Sequence, residues 1–444
     1  MDDEYEQQRQ QLRELGLLEY IEQREKEDRA AMDEYNAARN TDRTAGKRPA
    51  PDTDRTAGNS PAPDTDAQSS HPGFNPNNYG MIMPFDVSEN LITGCNICPQ
   101  QTGLSRCSAC KVVHYCSPEH QRADRPAHKV WCKSIKKITF VLDKDEAALR
   151  AHKGDMDTPP NAFETAVGDF WRYSGTRNYM RSRNELLREL PRLNTKAAVE
   201  AALEHALGLM RLNLQDPMCV RSITPAFFLR LGRDQEAYDF CKWWVTKGSS
   251  LSCDWKNVRQ LPHEMSSGGD AWEGVEVFER VRNFGDGSGD SFTVPSFSDL
   301  SHLVAVTLVK VRILLDVRVL IDGIRPQDFG DVSSSSIVLR DTGEGDIGQP
   351  EIILERVKDQ VVRLYDAVHR ANKHFWPRVV EPRAHLLMNP LNIGMGDETE
   401  MHLVLPEYYC AWSETPGAIE VIEDILEGRE ISFSRSVGRG LFKK

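Results

Sequence analysis

The chain has 444 residues, 39% hydrophobic and 27% charged, with a formal net charge of −12. That length holds more than one domain, and the modest apolar content implies that part of the chain stays unpacked. The acidic balance argues against general nucleic-acid binding, which draws on a basic surface.

The chain starts Met1-Asp2-Asp3-Glu4, with no apolar leader. Residues 1–40 carry 12 acidic and 6 basic side chains. Leu12, Leu15, Leu18 and Ile21 recur at helical steps of three, so this segment reads as a charged, solvated helix with a short apolar stripe. Residues 41–90 read as a disordered linker. They hold an imperfect tandem repeat, TDRTAGKRPAPD at 41–52 and TDRTAGNSPAPD at 53–64, and Pro, Gly, Asp and Thr dominate.

From Cys95 to Cys132 the composition changes. Six of the ten cysteines fall in this window of 38 residues. Together with two histidines they give Cys95, Cys98, Cys107, Cys110, Cys116, His120, His128 and Cys132. Eight soft or borderline donors are what two tetrahedral zinc sites require. A Cys-x2-Cys pair on a tight turn presents both thiolates to one metal. Cys116/His120 and His128/Cys132 are each four apart, on one face of a helix. Ser117 reads as an N-cap with Pro118 at the first helical position, and Pro126 as the start of a second short helix carrying His128 and Cys132. Spacing alone allows the eight to pair sequentially or interleaved.

The stretch CSACKVVHYCSPEHQRADRPAHKVWC, residues 107–132, resembles a MYND zinc finger. The shared features are the two Cys-x2-Cys pairs, Tyr115-Cys116-Ser117, His120-Gln121 and the closing His128-Lys129-x-x-Cys132. The resemblance implies an interleaved ligand set: Cys95, Cys98, Cys116 and His120 for one zinc, Cys107, Cys110, His128 and Cys132 for the other. It also implies a finger that grips short proline-containing peptides. The chain departs from the family at His120, where Cys is usual, and at Arg125, where Trp is usual. Imidazole keeps the coordination with one negative charge fewer. Arg125 puts the usual peptide groove in doubt, with Trp131 as the available substitute. His114, inside the ligand run, competes with His120 by position, but His120 keeps the four-residue helical step from Cys116, so His114 reads as a partly exposed non-ligand.

We place the finger at 91–137. Lys129, Lys133, Lys136 and Lys137 follow its last ligands, and Arg122 and Arg125 extend this basic patch. From 160 to 427 the pattern is an α-helical body. Apolar helical faces recur at 198–213, 220–231 and 233–245, then at 298–324, 350–372, 399–412 and 416–427. The junction Leu231-Gly232-Arg233-Asp234 ends one helix and starts the next, resembling a degenerate tetratricopeptide-like hairpin without the regular period of an array. Long polar insertions are expected at 246–297 and 325–349. Residues 371–377 read as a helix end packed by aromatics. The run Leu303–Ile324 is interrupted by Lys310, Arg312, Asp316, Arg318 and Asp322, so it cannot span a bilayer. Residues 286–297 mimic a calcium loop but have Ser291 and Phe297 where Gly and Glu are needed. Residues 428–444 read as a basic tail.

The fold class expected is therefore mainly α: a cross-brace double-zinc finger followed by a helical body. The function expected is that of an intracellular zinc-binding interaction or adaptor protein, in nucleus or cytoplasm, with two structural Zn2+ ions and a protein or peptide partner. Membrane and nucleic-acid partners are not expected, and oligomeric state stays open. It does not read as an enzyme. Some proteins carrying this finger resemble SET-domain lysine methyltransferases, but the Asn-His-Ser-Cys-type strand and the later cysteine cluster have no counterpart here. Cys219, Cys241, Cys253 and Cys410 read as core. A nucleic-acid-binding regulator is the remaining alternative.

Overall fold

The computed structural model describes residues 90–246, 299–322, 350–388, 390 and 393–431. The expected helix at 1–40, nearly all of the linker and both long insertions lie outside the described residues. So do the calcium-like segment, Cys253 and most of the basic tail.

Among the described residues the structure is helical apart from one small hairpin. Its strands, β1 (Ser105–Arg106) and β2 (His114–Tyr115), are antiparallel, with Ser105 facing Tyr115 and Arg106 facing His114. Eleven α-helices follow: α1 (Pro118–Ala151), α2 (Ala162–Thr165), α3 (Arg177–Glu189), α4 (Lys196–Leu212), α5 (Val220–Arg230), α6 (Asp234–Thr246), α7 (Leu300–Ile321), α8 (Pro350–Ala371), α9 (Phe375–Val380), α10 (Glu398–Ser413) and α11 (Ala418–Leu426). Short 3-10 turns join some of them. No described helix is long and apolar enough to cross a membrane.

Helix α1 corrects one expectation. Ser117 caps its N-terminus by accepting from the His120 amide, and Pro118 opens it, but Pro126 starts no second helix: it lies inside one continuous helix of 34 residues. Proline forfeits one hydrogen bond at that point. The helix continues because both halves share one buried stripe: Asp124, His128, Cys132, Ile135, Ile138, Leu142 and Leu149, in steps of three, four and seven. The first part of that stripe faces the finger and the second faces α3.

From α3 onward the helices pack on their sequence neighbours, α3 on α4, α4 on α5, α5 on α6. The hairpin expected at Gly232 forms. Gly232 takes φ 68°, its N–H donates to the Leu229 carbonyl, and the Arg233 N–H reaches back to Phe228 at 2.9 Å. That is the αL ending that favours glycine.

Helix α7 lies at the centre, against α5, α6, α8, α10 and α11. It is buried continuously from Leu300 to Leu314. Two of the charges that argued against a membrane helix are partnered inside the protein, and Arg318 pairs with Asp322 at its half-exposed end. Arg312 pairs with buried Asp234 and donates to the Leu229 carbonyl, and Lys310 lies over the Tyr238 ring. Helix α9, directly after α8, buries Phe375 and Trp376; the Trp376 indole donates to the Tyr365 carbonyl at 3.0 Å and meets the Trp412 ring edge-on. One hydrophobic core runs from Cys107 through the finger and the helices to Ile431. The described residues of finger and body belong to one compact unit.

Candidate metal centre

The structure brings the eight donors together as two groups, and the groups interleave. Cys95, Cys98, Cys116 and His120 form one; Cys107, Cys110, His128 and Cys132 form the other. Within each, the donor atoms lie within 4.8 Å of one another.

In the first group the Cys98 and Cys116 sulfurs are 3.6 Å apart, and His120 Nδ1 is 3.1 Å from Cys116 Sγ and 3.5 Å from Cys95 Sγ. In the second, the Cys107 and Cys132 sulfurs are 3.7 Å apart and His128 Nε2 is 3.6 Å from Cys110 Sγ. A disulfide would need about 2.05 Å between sulfurs. A tetrahedral zinc with Zn–S of about 2.3 Å and Zn–N of about 2.0–2.1 Å sets S···S near 3.8 Å and S···N near 3.6 Å. The donor set fits zinc.

Each donor is placed by simple local means. The Cys95 amide donates to the Gln100 carbonyl at 2.8 Å, closing the turn that carries Cys95 and Cys98. The Lys111 amide donates to the Cys107 carbonyl at 2.9 Å, closing the turn of the second pair, and Lys111 sits at φ 64°. Strand β2 delivers Cys116. Helix α1 carries His120, His128 and Cys132 at steps of four or eight.

The electrostatics differ between the groups. Burial opposes the Cys95 thiolate, but the amides of Ile97, Cys116 and Cys98 and the His120 ring bring this thiol down to about 6. In the drier second group, burial pushes the Cys110 thiol up to about 12, reinforced by Cys107 and Cys132 against the Val112 amide. Burial also lowers the His128 pKa, which keeps the imidazole neutral and able to ligate. Three thiolates in that interior require a cation among them, which zinc supplies.

One residue the sequence reading passed over joins the two groups. Asp124 is buried, accepts from the Tyr115 hydroxyl at 2.6 Å and from Asn96 Nδ2 at 3.0 Å. Asn96 lies in the first turn, and the Tyr115 ring meets His128 of the second group edge-on. A signal existed: 120, 124, 128 and 132 are one helical row, so Asp124 had to face the metal side.

The body fixes the finger's outer edge. Ile92 donates to the Asn194 carbonyl and accepts from Lys196, and Thr195 Oγ1 donates to the Val112 carbonyl at 2.7 Å. Asn194 is held by Arg230, which forms a buried ion pair with Glu414 at 2.7 Å. These contacts join residues 36 to 184 positions apart and leave no local pattern. Trp131 faces the body, with the Arg192 guanidinium over its ring at 4.9 Å, and is not an open peptide wall. His114 is half-buried in β2, outside both groups. Cys241 and Cys410 are buried as expected, but Cys219 is exposed: it occupies the N-cap of α5 at φ 52°.

Comparison with known proteins agrees with this geometry. The family model described as MYND finger matches residues 95–132. This segment is a MYND-type zinc finger, and it takes two structural zinc ions. SET domain and MYND-type zinc finger protein 6 of Schizosaccharomyces pombe is 45% identical over 49 residues, covering 11% of this chain and 10% of that protein. SET domain-containing protein 14 of Caenorhabditis elegans is 54% identical over 61 residues, 14% of each chain. The matched region is thus a small fraction of either relative. No solved structure matches.

Proposed function

We propose that this chain is a zinc-stabilised adaptor that binds a protein partner. Cys95, Cys98, Cys116 and His120 hold one ion, and Cys107, Cys110, His128 and Cys132 hold the other. The observation that carries the reading is that each group supplies four protein donors. Four donors close a tetrahedral shell, so the metal's work is to fix shape and not to activate substrate. The finger is built into a helical body whose continuous core makes a rigid platform, suited to presenting a surface. The names of the two relatives raise the alternative of a methyltransferase, but the likeness is short and fits the finger alone.

Elemental analysis of the chain purified without chelator is expected to return two zinc ions per molecule, and one or fewer would refute the ligand set. Partner capture from a cell extract is expected with the native chain and lost in Cys116→Ser. A methyl-donor binding assay separates the alternative: saturable binding would overturn the adaptor reading.

A further inference from the structure

Past Cys132, α1 leaves the finger and its inner face turns to α3, while its outer face remains in solvent. Arg125, Lys129, Lys133 and Lys137 recur on that outer face in steps of four, so they form one row. Beside it Lys136, Phe140 and Lys144 form a second row, also in steps of four. All six cations are exposed, and none forms an ion pair with a described carboxylate. Asp143 is the acidic residue that shares the face. Between the cations stand two apolar side chains, Val130 at 50% and Phe140 at 70% exposure. A single exposed Phe is ordinary. This Phe is flanked four residues away on either side by lysine, on a helix face whose like charges cost it stability at each i,i+4 step.

We infer that the outer face of α1 from Arg125 to Lys144 is the docking surface for an acidic helical segment of a partner protein. This names the partner chemistry of the adaptor reading and rests on it. The cationic rows call for Asp and Glu. Val130 and Phe140, ten residues and about 15 Å apart along the helix, call for two apolar anchors at the same separation. A phosphate backbone has no use for those anchors. The surface starts at Arg125, on the side of α1 away from the buried stripe that carries His128 and Cys132, and runs past Cys132 to Lys144.

The test uses the full zinc-loaded chain and a fluorescent amphipathic peptide of about 20 residues, Glu-rich, with Leu at the matching separation. A peptide of the same composition with its Leu positions scrambled and a DNA duplex of about 20 base pairs serve as competitors. The native chain is expected to bind the designed peptide, and Phe140→Ser and the double variant Lys133→Glu/Lys137→Glu each to weaken it roughly tenfold or more. These sites are exposed, so circular dichroism should be unchanged in both variants. Binding is expected to weaken as salt rises. Absence of peptide binding by the native chain, equal binding by the variants, or equal competition by the scrambled peptide would overturn the inference. Stronger competition by DNA would overturn it in favour of a nucleic-acid surface. If the surface fails while partner capture still depends on Cys116, the adaptor reading survives and this site does not.

Discussion

Gly94 immediately precedes the first ligand, and its place is set by a carbonyl. A Cβ there would come within 2.5 Å of the Gln100 oxygen, the same oxygen that accepts from Cys95. Gly94→Ala must therefore open the turn that pairs Cys95 with Cys98. Such a variant is expected to lose zinc from the first site more readily, read as faster release to a colorimetric chelator, while the second site holds. Lys111 is the converse case, a side chain placed where the backbone is left-handed. Lys111→Gly should be tolerated, whereas the β-branched Lys111→Val should lower stability by about 1–2 kcal/mol in thermal unfolding. At this scale the sequence displayed the donors and hid their supports. Cysteine and histidine announce themselves by type and spacing. Asp124, Asn96 and Thr195 are common residues whose role comes from where distant segments meet.

Helix α1 shows how one element can mislead a local reading. Proline at the first turn and proline in an interior leave the same mark in sequence, since both follow a polar stretch. What decides between them is the seven-residue stripe, which gains more from one unbroken register than the lost hydrogen bond costs. Pro126→Ala should restore that bond and stabilise the zinc-loaded chain by up to about 3 kcal/mol, seen as a higher unfolding temperature. A fall would mean that the proline shapes the path of the helix between His120 and His128. The outer face makes an opposite prediction possible. Lys133→Glu replaces two like-charge i,i+4 pairs, each worth roughly 0.2–0.5 kcal/mol, with attractive ones. The variant should therefore melt no lower than the native chain even where its peptide binding falls. Stability and recognition would then part company in a single substitution.

Across the whole molecule, the finger and the body share a core, so metal loss should not stop at Cys132. Chelation is expected to raise hydrogen exchange from Ile135 to Leu149 and in the facing helix α3, while α7 and α10 keep their protection. Exchange confined to 95–132 would show that the long helix stands without its metal end. For the same reason Cys132→Ser, on the seam, should lower the unfolding temperature more than Cys98→Ser on the outer turn. Much of the helical layout was legible, because long apolar periodic runs such as α7 and the Gly232 hairpin carry their signal locally. Helix α3 was not singled out. Its apolar positions are few and interleaved with arginines, so its amphipathic pattern is faint even though it packs between α1 and α4. Cys219 was misread because its apolar surroundings say nothing of the left-handed corner on which it sits.

The seam along α1 also limits how such a chain can change over generations. Adding one residue between Cys132 and Ile135 would turn everything beyond it by about 100°, carrying Ile135, Ile138 and Leu142 away from α3 while the ligands stayed in place. The spacing from the last ligand to the first body contact is therefore as strictly counted as the spacing within the zinc sites. Connecting loops are under no such count and can lengthen freely. A finger grafted elsewhere by cutting at its closing cysteine would arrive without the half of the helix that steadies it.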